Sequence, residues 1–156
     1  MDRYGALEVS AMTWWTVARF LHVLGAAVWV GGQLTVSLVV LPLARRLLDE
    51  ERRGQVLTAV GRRFGLLTVA VFLPVQLATG VAIAWHKGLT WATLAEPGYG
   101  RILAAKLALF CAVMVAAAAH GWASGAGRPV LARTLAMASL AGSLGVVLLA
   151  TALPVT

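Results

Sequence analysis

Residues 102–122 read ILAAKLALFCAVMVAAAAHGW, and Lys106 is the one charged residue among them. The apolar positions run continuously instead of alternating, so the stretch is no half-buried strand or β-barrel segment. About 20 residues at ~1.5 Å each cross a ~30 Å hydrocarbon core. In lipid the backbone must satisfy its own hydrogen bonds, so the stretch is expected to be a transmembrane helix.

Three more runs of the same kind lie around it. The expected spans are about 14–41, 64–85, 102–122 and 135–153. None contains Asp or Glu. The whole chain has 156 residues, 60% hydrophobic and only 12% charged. A soluble domain carries about 25% charge, so a water-facing globule is disfavoured, as is a disordered chain. Cys111 is the single cysteine, which excludes a disulfide scaffold. The first run lacks a basic flank and a cleavage site and is too long for a signal peptide, so it is read as a retained helix. The expectation is all-α: one membrane domain over residues 1–156, a four-helix transmembrane bundle with short loops.

The connection over residues 42–63 holds Arg45, Arg46, Arg52, Arg53, Arg62 and Arg63 with Asp49, Glu50 and Glu51, and the third connection holds Arg128 and Arg133. On the other side stand Arg3, Arg19, Lys87 and Arg101. The positive-inside rule then places the first and third loops in the cytoplasm and both termini outside, in a plasma (inner) membrane. Trp14, Trp15, Trp85, Trp91 and Trp122 fall near expected interfaces, as membrane-anchoring aromatics do. The formal charge of +7 is thus a topology signal with scope for anionic lipid contact. No aromatic interleaving, zinc spacing or recognition helix accompanies it, so nucleic acid is not an expected partner.

Polar groups inside apolar helices are costly and often mark function. In the first span Arg19, His22, Gly25, Trp29 and Gly32 are spaced 3, 3, 4 and 3, which puts them on one helical face. Imidazole ligates metals and haem iron. Gly25, one turn from His22, leaves space for a flat macrocycle or for a close neighbour helix. Arg19 suits a carboxylate or simply snorkels. In the second span Pro74 is expected to kink the helix, Gln76 to bond another helix, and Thr79 and Gly80 to sit with them at mid-depth. His86 ends that span. In the third, Lys106 lies about one turn in from the outer end, at a depth comparable to His22. His120 marks the inner end, where a helix-terminal role suffices. Ser139, Gly142, Ser143 and Gly145 of the fourth span form a small-residue packing face. Cys111 and Met114 are expected to pack or face lipid. No Walker loop, dinucleotide fingerprint, HExxH or paired cysteine motif is present.

The stretch FLHVLGAAVWVGGQL, Phe20 to Leu34, resembles the first helix of CopD-like copper-resistance membrane domains. YGRILAAKLALF, Tyr99 to Phe110, and RRFGLLTVAVFLPVQLATG, Arg62 to Gly80, are similar to later helices of that family. HemJ-type protoporphyrinogen oxidases also pair an early-helix histidine with a later-helix lysine, positions matched here by His22 and Lys106. The resemblance implies a haem, porphyrin or copper function.

The leading expectation is a membrane haem b electron-transfer protein with its site in the outer half of the bundle. His22 and His86 are the candidate axial ligands. Arg19, Arg101 and Lys106 are the candidate propionate partners, with Gly25 and Trp29 lining the site. Expected partners are the lipid bilayer, a quinone or a redox protein, with scope for a homo-oligomer or a larger membrane complex. The alternatives are copper binding or transport, porphyrinogen oxidation, and a non-catalytic subunit of such a complex. One Cys and four Met are few soft ligands for copper.

Overall fold

The computed structural model describes residues 13–153, so Arg3 lies outside the described residues. Among the described residues the chain is helical, with no strand. Four helices are long and apolar enough to span a membrane: α1 (Trp14–Leu47), α2 (Glu50–His86), α3 (Tyr99–Gly125) and α4 (Pro129–Thr151). They pack as two hairpins, α1 with α2 and α3 with α4, joined mainly by α1 against α4.

The helices are longer than their apolar runs. The connection expected over residues 42–63 is helical apart from a turn at Leu48 and Asp49. Hydropathy detects the lipid-immersed part of a helix, not its end. Leu, Ala, Arg, Glu and Gln are all good helix formers. Asp49 caps α2, its Oδ1 accepting from the Arg52 N–H at 2.9 Å. Glu50 and Glu51 place negative charge at the positive end of the helix dipole. The third connection shrinks likewise to residues 126–128.

Both long helices contain a π-helical turn, at Val36–Val40 in α1 and Thr68–Phe72 in α2. Each is followed by Leu-Pro: Leu41 and Leu73 donate to carbonyls five residues back, Val36 and Thr68. Proline cannot donate, and its ring presses on the preceding turn. A widened turn relieves that pressure, so the disturbance expected at Pro74 is taken up just before it. Pro42 does the same in α1.

The link from α2 to α3 contains a short 3-10 turn, Ala92–Ala95. Gly98 turns the chain at φ +84°. Gly100 lies directly against the Thr93 carbonyl, where no side chain would fit. α3 and α4 close on small residues: a methyl group added at Gly142 would meet Val113, and one added at Gly145 would meet Leu109. His120 Nδ1 donates to the Ala132 carbonyl at 2.8 Å and ties the two helices at their far end. α3 runs on to Gly125, so His120 lies before the last turn and bonds the neighbouring helix instead of taking the expected helix-terminal role.

The bundle buries little. Exposed large apolar side chains occur on all four helices, as a lipid-facing surface requires. Trp14 (84% exposed), Trp85 (81%) and Trp91 (90%) ring one end, whereas Trp29 is buried at 7%. At the opposite end Arg128 lies over the Trp122 ring, 5.1 Å from its centroid.

Candidate functional site

The glycine–tryptophan face of α1 meets α2. Gly25 lies against the Gln76 side chain, Gly32 against the Phe64 ring, and Trp29 stacks on Phe72 (4.7 Å) and Phe64 (5.1 Å). Of the two uses open to the space beside Gly25, the structure takes the second: a neighbour helix. Trp29 is an interhelical anchor here, not the wall of an open pocket. Its Nε1 donates to Ser143 Oγ of α4 at 3.2 Å. Gln33 Nε2 donates to the same oxygen at 3.1 Å, and the Ser143 hydroxyl in turn donates to the Ser139 carbonyl at 2.8 Å. A buried serine thus serves α1 and α4 at once. Gln33 carried no sequence-level expectation, although a glutamine in an apolar span is itself the signal for such a bond.

His22 sits on the same face, half-buried, against α2. A methyl group added at Gly80 would stand 3.3 Å from its Cε1, so the bare backbone there makes room for the ring. The Thr79 hydroxyl donates to the Val75 carbonyl at 2.6 Å and lies 2.9 Å from His22 Nδ1. That short bond uses the only hydroxyl proton, so Thr79 Oγ1 accepts from His22 Nδ1–H. Gln76 Nε2 also comes within 3.0 Å of Nδ1. The opposite tautomer would use that contact but would turn the Thr79 lone pair on the ring nitrogen; the 2.6 Å bond to Val75, which leaves Thr79 only a lone pair to offer, favours Nδ1–H. With the proton on Nδ1, Nε2 keeps its lone pair. A metal-ligating histidine is held in this way, with its other nitrogen bonded to a neighbouring group.

Gln76 holds the backbone beneath the ring. Its Nε2 donates to the His22 carbonyl at 3.0 Å and its Oε1 accepts from the Ala26 N–H at 3.2 Å. The interhelical bond expected of Gln76 is therefore made, to main chain.

Lys106 of α3 is half-buried. Among the described residues it has no hydrogen-bond or ion-pair partner. Arg19 and Arg101 are exposed.

The structure does not bring His86 to His22. The His86 ring stacks on Trp15 at 4.0 Å and 12°. Trp15 lies two turns before His22, about 10 Å along the axis. Nearby, Lys87 lies over the Tyr99 ring at 5.3 Å. Among the described residues no three His, Cys, Asp or Glu side chains gather as a metal cluster.

The fold defines a class: a four-helix bundle of membrane-spanning helices, with His22 held at the α1–α2 interface. Comparison with protein-family models, curated proteins and solved structures finds no match to this chain.

Proposed function

We propose that the chain is a membrane haem b protein that passes electrons, with His22 Nε2 as the protein ligand to iron. The observation that carries this reading is the placement of the half-buried His22: Nδ1 lies 2.9 Å from Thr79 Oγ1, which is itself bonded to the Val75 carbonyl, an arrangement that favours Nε2 as the nitrogen with the lone pair. The other groups fit the same ligand. Lys106, without a hydrogen-bond or ion-pair partner among the described residues, offers a cation for an acidic substituent, and Arg19 and Arg101 offer exposed guanidinium groups. His86, held on Trp15, is left at the rim of the site. Bound haem b supplies one-electron redox chemistry. The protein's part is to fix the ring of His22 through Thr79, to hold its main chain through Gln76, and to pair acid groups with Lys106. Copper would ask for several soft donors at one place, whereas the neighbours of His22 are a hydroxyl and an amide.

The arginine-rich end faces the cytoplasm of an inner membrane in this reading. The site then lies in the outer half of the bilayer, where a quinone or a redox protein exchanges electrons with it.

Oxidised and reduced absorption spectra of the detergent-purified protein, with a pyridine haemochrome assay, test the proposal. A Soret band that is lost in His22→Ala is the expected result. No haem by either method, even with haem added, overturns it.

A further inference from the structure

The α1–α2 hairpin is longer than the membrane core needs, and its surplus is two-faced. α2 runs for 37 residues and α1 for 34, about 55 and 51 Å at ~1.5 Å per residue, against a ~30 Å core. The stretch of α2 from Arg63 to His86 already spans that core. What remains is the paired ends of the two helices around the Leu48–Asp49 turn.

On α1 this surplus is apolar and uncovered: Leu43 is 49% exposed and Leu47 71%. In water such side chains would be a liability. Arginines surround them. Arg45 and Arg46 lie beside the leucines on α1, and Arg52 and Arg53 stand across the turn on α2. The acids are confined to the tip, residues 49–51, where Asp49 is engaged in capping and in an ion pair to Arg52 at 3.4 Å. From the tip inward, the order is acids, arginines and leucines, then Arg62 and Arg63 on α2, whose long side chains suit snorkelling back to the headgroups, then the apolar span.

This order matches the layers of an anionic bilayer leaflet: water, phosphates, acyl boundary. A bilayer with its headgroups is about 40–45 Å thick. A tilt of about 30°, within the range of membrane helices, brings a ~51 Å helix to about 44 Å. We propose that the arginine-bearing end of the α1–α2 hairpin docks in the headgroup layer of an anionic leaflet, with Leu43 and Leu47 in the acyl boundary and the arginines on lipid phosphates. The inference is independent of any cofactor.

The test uses the full chain in nanodiscs of phosphatidylcholine, alone or mixed with phosphatidylglycerol. Nitroxides at Leu43→Cys and Leu47→Cys, in a Cys111→Ser background, report depth through relaxation by oxygen and by a water-soluble nickel chelate. Hydrogen exchange reports the backbone over residues 50–62. In discs with phosphatidylglycerol the labels should be shielded from nickel and exchange should slow. The effect should fade in high salt. Each of Arg45→Gln, Arg46→Gln, Arg52→Gln and Arg53→Gln should reduce it about fivefold or less, the scale of one basic residue at an anionic surface. The salt arm stands even where a variant folds poorly. Labels open to nickel in both discs overturn the proposal. Equal shielding in both lipids overturns it too, and label-to-label distances between chains would then identify a second copy as the cover.

Discussion

His22 Nδ1 and the Thr79 hydroxyl meet across the α1–α2 interface at 2.9 Å, and Thr79 is itself bonded to the Val75 carbonyl at 2.6 Å. This relay sets which ring nitrogen is free. Nitrogen NMR of the neutral side chain should show Nδ1 protonated and Nε2 bare. Thr79→Val keeps the shape and removes the acceptor, so the population should shift towards the Nε2–H tautomer, which Gln76 can serve. Loss of about 1 kcal/mol of stability accompanies it, the usual scale for one such bond. A tautomer balance unchanged by Thr79→Val would contradict the relay.

Lys106 is a charge without a partner among the described residues, half-buried in a span. Lys106→Met should therefore raise the thermal stability of the ligand-free protein in detergent, by about 1 kcal/mol or more given the cost of charge in lipid. The same variant should hold haem less well. Thermal melting and haem titration check the two halves separately, and a variant that loses both stability and haem would mark Lys106 as structural.

Gly80 and Gly61 give a paired test on one helix. A side chain at Gly80 would press on the His22 ring, whereas one at Gly61 meets nothing within 4 Å. Gly80→Val should displace the imidazole and weaken haem binding. Gly61→Val should leave the spectrum unchanged. The comparison controls for the general effect of a β-branched residue on the helix.

Ser143 accepts from both Trp29 and Gln33. Ser143→Ala leaves two donors, the buried Trp29 and the half-buried Gln33, facing a methyl group. A loss of about 1–3 kcal/mol is expected, above that of a single bond, and chemical unfolding in mixed micelles measures it. Ser143→Thr, which keeps the oxygen, should recover part of the loss.

Hydropathy revealed the four spans because water and lipid sort side chains by polarity. It stopped short at residue 41 and restarted at residue 64 because Arg45, Glu50 and Arg52 are as compatible with a helix as with a loop. The cap at Asp49 followed by Glu50 and Glu51 was the available signal that α2 begins early. The spacing of His22, Gly25, Trp29 and Gly32 correctly grouped them on one face. What covers that face depends on the rotation of α2, and periodicity within α1 carries no information about that. Hence Gln76 and Thr79 were recognisable as interesting residues but not as the neighbours of His22. Ser143 was recognisable as small, and its double acceptance was visible only once α1 and α4 met.

The π-helical turns at Val36–Val40 and Thr68–Phe72 give the long helices two phases. One extra residue in a turn rotates everything beyond it by about 100° relative to a regular helix. The azimuth at which α1 presents Arg45 and Arg46 is therefore set separately from the azimuth at which it presents His22. Gain or loss of a single residue in such a turn re-aims the charged end while the histidine keeps its bearing.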